Sequence, residues 1–146
     1  MKTPIRSLLL LLAFPALCSA QASDPVLSAA AAEKGAVVTG SGLVYLSLKE
    51  GNGASPTAAS VVRVHYRGTF PGGKEFDSSY ARKQPAEFPL NRVIPCWTEG
   101  VQKIKVGGKA KLTCPAAIAY GARGAPPDIP PNATLLFEVE LLGIVR

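Results

Sequence analysis

The chain has 146 residues, 47% of them apolar and 18% charged, with 16 Lys and Arg against 10 Asp and Glu and a formal net charge of +6. That length suits one domain with a single core. The basic residues are scattered rather than blocked, and neither stacking aromatics nor a groove-reading helix accompanies them, so a nucleic-acid partner is not expected.

The N-terminus reads MKTPIRSLLLLLAFPALCSAQAS. Lys2 and Arg6 precede an apolar run from Ser7 to Leu17, and Ala20 and Ala22 stand at the small-x-small spacing of a cleavage site. This is the anatomy of a secretory signal peptide. The alternatives are a membrane anchor, for which about 20 apolar residues are needed and the run is too short, and a lipoprotein signal. Against the latter, Leu17 stands where a small residue should precede Cys18. The expectation is a signal peptide at 1–22, removed on export, with no membrane attachment afterwards. Cleavage takes away Lys2, Arg6 and Cys18, leaving a net charge of about +4 and two cysteines, Cys96 and Cys114. In a periplasmic or secreted setting an even count fits one bridge, though two buried free thiols fit as well.

Residues 23–40, SDPVLSAAAAEKGAVVTG, are rich in alanine and lack a strong apolar face. They read as a short leader or tether, with at most one helix around Ser28–Lys34. Regular patterning begins at Ser41 and defines a domain over 41–146. Val44, Leu46 and Leu48 share one parity before a glycine turn at Gly51–Gly53. In SVVRVHYRGTF, Val62, Val64 and Tyr66 alternate with Arg63, His65 and Arg67, as in a strand with one buried face. A turn at PGGKEFDSS brings in Phe76 and Asp77, and AEFPL gives a short strand around Phe88. Trp97, Val101 and Ile104 recur at helical spacing behind Pro95, predicting a helix of about three turns that ends at Val106–Gly108. Ala110, Leu112 and Cys114 then share a strand face. A proline-rich loop, AAIAYGARGAPPDIPPNA, leads to a last strand with Leu135, Phe137, Val139 and Leu141 inward. Strands of antiparallel type with one helix make an α+β fold.

Much chemistry is excluded. His65 is the only histidine and sits on the solvated side of its strand, so neither a serine nor a cysteine triad can be assembled. Two cysteines and one histidine fall short of a zinc site, no C-x-x-C is present, and no glycine-rich loop opens a helix. No cofactor is expected. What remains is a group of aromatic and aliphatic residues around one helix, with one acid among them. By pattern alone, Trp97, Phe76 and Phe137 read as core packing as readily as a binding site.

Three stretches, VRVHYRGTFPGGKEFDSSY, FPLNRVIPCWTEGVQKIKVGGKAKLTCP and AYGARGAPPDIPPNATLLFEVELL, resemble in order and spacing the signature segments of FKBP-type peptidyl-prolyl cis-trans isomerases. The resemblance runs from about Gly42 to Val145. It implies a five- or six-stranded antiparallel sheet curved around the short helix, with a pocket between them. It also implies catalysis of X-Pro rotation in exported proteins, by non-covalent stabilisation of the twisted amide. Carried over, Trp97 would form the pocket floor, Tyr66, Phe76 and Phe137 its walls, and Val93 and Ile94 its rim, with Phe88 and Ile129 completing the edge. The Ile94 N–H and the Tyr120 hydroxyl would donate to substrate carbonyls, and Asp77 would face the pocket, held by the Tyr66 hydroxyl. Expected partners are proline-containing unfolded or partly folded exported polypeptides and macrolide inhibitors, with the protein itself a monomer. In this placement Cys96 lies beside the floor and Cys114 on the facing strand, so a Cys96–Cys114 disulfide is expected. The sequence departs from the family at Cys96, usually glycine or another small residue, and at Asp128, where an apolar residue is common.

Overall fold

A computed structural model describes residues 24–146; the signal peptide expected at 1–22, with Cys18, lies outside the described residues. The strand β3, Val61–Thr69, organises the sheet. Val62, Val64 and Tyr66 are buried, whereas Arg63 and Arg67 are exposed and His65 is half-buried, so the period-two pattern places one face in the core. On one side β3 pairs with β7, Leu135–Ile144. On the other it pairs with both β4, Glu75–Ser78, and β5, Ala86–Pro89. Beyond β7 come β6, Lys109–Cys114, then β2, Val44–Lys49, and a two-residue β1, Val37–Val38. Every pairing is antiparallel.

The fold is α+β, as expected, and the sheet has seven strands rather than five or six because Val37–Val38 extends its edge by pairing with Val44 and Tyr45. Alternation cannot reveal so short a strand. The alternation of β7 holds, with Leu135, Phe137, Val139 and Leu141 all buried. In β2 it breaks down: Val44 is 3% exposed, yet Leu48 is 46% exposed. A register shift against β6 between Ser47 and Lys49 bends the strand end out of the core.

The principal helix, α3, spans Pro95–Val101 and is shorter than its apolar spacing suggests. After Val101 the chain tightens into i→i−3 bonds, Lys103 N–H to the Gly100 carbonyl and Ile104 N–H to that of Val101, both 3.1 Å. Ile104 is buried, but from the turn that follows the helix. Two further helices are short: α1, Pro25–Ala31, and α2, Ser79–Arg82. α1 starts three residues earlier than the alanine run suggested, because Asp24 caps it by accepting the Val26 N–H at 2.9 Å. Asp24 also accepts a hydrogen bond from the Thr134 hydroxyl, and Glu33 pairs with Lys111 at 2.8 Å. These contacts, with β1, lay residues 24–38 against the sheet.

Candidate active site

Between α3 and the inner face of the sheet lies a cavity of about 440 Å³, within the size range of small-ligand sites. Its base is Trp97, 4% exposed and in the first turn of α3. Tyr66 of β3, Phe88 of β5 and Phe137 of β7 stand edge-on to the indole, at 5.2, 5.4 and 5.4 Å between ring centroids. Edge-to-face contacts of this kind suit the aromatic quadrupoles. They leave a shaped aromatic wall. The Trp97 Nε1 is buried and has no hydrogen-bond partner among the described residues.

Phe76 and Asp77 are neighbours in β4, yet both line the cavity. The pairing explains this: Gly68 lies opposite Asp77 and Thr69 opposite Glu75, so Phe76 is an extra residue in a bulge that re-aims it. Phe76 then meets Phe137 edge-on at 5.6 Å. Gly68 makes room for both rings, since a Cβ there would sit 2.5 Å from Phe76 Cζ and 3.0 Å from Phe137 Cε1. A side chain on Gly68 would displace one wall.

Asp77 is held at both oxygens. Tyr66 Oη donates to Oδ2 at 2.5 Å and Arg82 Nη1 to Oδ1 at 2.5 Å, while Arg82 Nη2 donates to Tyr66 Oη at 2.9 Å. Burial pushes the Asp77 carboxyl up, but the Tyr66 and Arg82 hydrogen bonds, the Arg82 charge and the Ser78 N–H outweigh it and hold the group below its ordinary value. Burial and the bond to Asp77 raise Tyr66, with Arg82 opposing them. Asp77 is therefore a carboxylate with its hydrogen-bonding capacity largely occupied.

Val93 and Ile94 form the rim before α3. Ile94 is the helix N-cap, its carbonyl accepting from Trp97 and Thr98, and no hydrogen bond from its own N–H is found among the described residues. Tyr120 reaches the cavity from the long loop between β6 and β7. Burial, then the Asp77 charge, raises its hydroxyl pKa, so it stays a donor in neutral solution. Ile129 does not line the main cavity; it lines an adjoining depression of about 340 Å³ with Phe76, Asp77 and Tyr120. All the other expected pocket residues line the cavity itself.

Cys96 and Cys114 are joined, with Cα atoms 5.9 Å apart and both residues fully buried. The bridge fastens the first turn of α3 to β6 directly beside Trp97. Three residues of the site escape the sequence patterns. Arg82 clamps Asp77 from a helix too short to leave a periodicity; its only trace is its spacing of five residues from the acid. Arg92 lines the cavity from a 3₁₀ turn, and Gly68 acts by having no side chain. His65 lies on the outer face, hydrogen-bonded to Ser79 Oγ at 2.9 Å and stacked on Tyr80. No helix among the described residues is long and apolar enough to cross a membrane, and none of their His, Cys, Asp and Glu clusters could hold a metal.

Known proteins resemble this chain in sequence and fold. The chain is 51% identical over 123 residues to the FKBP-type peptidyl-prolyl cis-trans isomerase FkpA of Aeromonas hydrophila, an alignment covering 84% of this chain and 46% of the relative. The crystal structure of FkpA from Escherichia coli superposes with a TM-score of 0.80 at 48% identity, covering 82% of this chain and 56% of that one. A peptidyl-prolyl cis-trans isomerase structure from Pseudomonas syringae pv. tomato gives a TM-score of 0.78 at 36% identity, covering 84% and 90%. The chain spans about half the length of the FkpA relatives it matches. The model of the FKBP-type peptidyl-prolyl cis-trans isomerases matches residues 53–142, the stretch that holds α3, strands β3 to β6, most of β7 and every residue of the cavity. The chain belongs to that family.

Proposed function

We propose that this protein catalyses cis-trans isomerisation of X-Pro bonds in exported polypeptides and so assists their folding. The observation that carries the proposal is the complete aromatic cavity around Trp97, with its one acid fixed by Tyr66 and Arg82. The amide barrier of roughly 18–20 kcal/mol comes from resonance. Twisting the bond removes that resonance and makes the carbonyl less dipolar. A dry aromatic cavity accommodates the twisted amide better than the planar one, which is the differential binding catalysis requires. A 10⁵-fold acceleration needs about 7 kcal/mol.

In this scheme the prolyl ring rests on Trp97 between Tyr66, Phe76 and Phe137, with Phe88 and Val93 closing the edge. The Ile94 N–H and Tyr120 hydroxyl donate to carbonyls flanking the rotating bond. Asp77 acts electrostatically and by holding Tyr66, since both of its oxygens already accept hydrogen bonds. No proton transfer is required. Ile129 contacts the substrate beyond the cavity. Residues 41–146 carry the activity, residues 1–22 direct export to the periplasm or outside the cell, and the mature protein is a monomer that macrolides inhibit. The buried Cys96–Cys114 bridge supports an oxidising location.

Protease-coupled isomerisation of an X-Pro tetrapeptide tests the proposal. Mature protein should accelerate the reaction well above the uncatalysed rate, and Phe137→Ala should abolish most of the gain. A wild-type rate equal to background would overturn it.

A further inference from the structure

The cavity and its neighbouring depression share the walls Phe76, Asp77 and Tyr120, so together they form one continuous cleft. Each part has one charged residue of its own: Arg92 lines only the first and Asp128 only the second. Both are exposed, and neither makes an ion pair or a side-chain hydrogen bond among the described residues. Asp77, between them, is already neutralised by Arg82. The cleft is thus uncharged in effect at its centre and of opposite sign at its ends.

We propose that Arg92 and Asp128 read the charges of the side chains flanking the X-Pro bond, favouring an acidic residue on the Arg92 side and a basic one on the Asp128 side. This rests on the isomerase function proposed above. An extended chain advances by roughly 3.3–3.6 Å per residue, so a peptide with its proline over Trp97 carries its next residue across Phe76 and Tyr120 into the depression. There the buried Ile129 offers an apolar surface for the methylenes of a lysine, whose ammonium reaches the Asp128 carboxylate. At the other end the Arg92 guanidinium presents paired N–H donors suited to a carboxylate. The same charges repel the opposite arrangement, so the selection works by exclusion as well as by attraction.

The test uses X-Pro peptides with Glu before and Lys after the dipeptide, the reverse order, and Ala at both places. The peptide with Glu before and Lys after should be turned over about two- to fivefold faster than the reverse order, the scale expected for exposed ion pairs. The preference should shrink in 1 M salt, where the Debye length is about 3 Å. In the R92E/D128K double variant the order should invert, read as the ratio of the two charged peptides within each protein. Binding of the same peptides, followed through the fluorescence of Trp97, the only tryptophan, reports the charge preference independently of turnover. Failure to accelerate the Ala peptide would count against the isomerase function alone. Equal binding of the two charged orders, or an order unchanged by the double charge reversal, would overturn the charge reading.

Discussion

Trp97 and Tyr120 face the same cavity from very different supports. Trp97 is 4% exposed in a helix cross-linked to a fully buried strand position, and three aromatic rings pack edge-on around it. Tyr120 is 41% exposed in the loop between β6 and β7. That loop is held by local bonds: Gly121 N–H to the Ala116 carbonyl, Gly124 N–H to that of Tyr120, and a mutual pair between Ala125 and Ile129. Gly124 is essential there, with φ +66° and room for no Cβ, which would fall 2.5 Å from the Ile129 carbonyl oxygen. Few long-range contacts make such a segment the easier one to open locally. The floor fixes what kind of group can bind. Under the proposed function, the rim can tune which peptide binds without disturbing the core.

Perturbing the floor should therefore have the largest effects. Phe137→Ala removes a buried wall that touches both Trp97 and Phe76. It is expected to lower kcat/KM by at least about 100-fold and stability by about 3–5 kcal/mol, measured by the coupled assay and urea unfolding. Next comes the cross-link. Replacing Cys96 and Cys114 by serine opens a loop spanning a sequence separation of 18, and should cost about 2–4 kcal/mol and lower Tm by about 10 °C. Reductant should reproduce the loss in the wild type once the bridge is reduced. An unchanged Tm in both experiments would show that the floor does not depend on its fastening.

Smaller effects should come from the polar groups. Tyr66→Phe leaves Asp77 held by Arg82 and the Ser78 N–H and is expected to lower kcat/KM about three- to tenfold, near 1 kcal/mol. Tyr120→Phe, at the rim, should cost less than Tyr66→Phe; the reverse order would contradict the distinction between floor and rim. The smallest effect concerns pH. The Asp77 pKa is lowered below 3.8 in the folded protein, so its contribution to stability is present above the unfolded value and is lost as pH falls through the folded one. Activity should stay level from neutral pH down to that region and decline only below it. On the alkaline side Tyr66 and Tyr120 have raised pKa values, so their neutral hydroxyls persist beyond pH 10. A decline of kcat/KM centred near pH 6 would point to a different titrating group.

The sequence makes the floor far more legible than the rim. Period-two alternation identifies the inward faces of β3, β6 and β7 because one side of each is buried, and the same rule exposes Arg63 and Arg67. Helical spacing selects Trp97 and Val101 correctly, but it overruns the helix end because Ile104 is buried without being helical. Features built from irregular backbone leave no period to read. The bulge at Phe76, the four-residue α2 that delivers Arg82, and the 3₁₀ turn that delivers Arg92 all belong to this class. By count alone the cysteine pair fits a bridge or two free thiols; only the family resemblance sets Cys96 and Cys114 side by side. Leu48 shows the opposite error: a regular pattern continues in the sequence after the strand has turned away from the core.

The outer margins of the sheet bear on how the protein avoids unwanted strand pairing. One margin is β1, only two residues long; the other is divided between β4, which carries a bulge, and β5, which ends at Pro89. Short, bent and proline-blocked borders give a stray strand little backbone on which to dock. A protein with the function proposed above would thereby be protected from being recruited along its own edges into the aggregates of the chains it acts on.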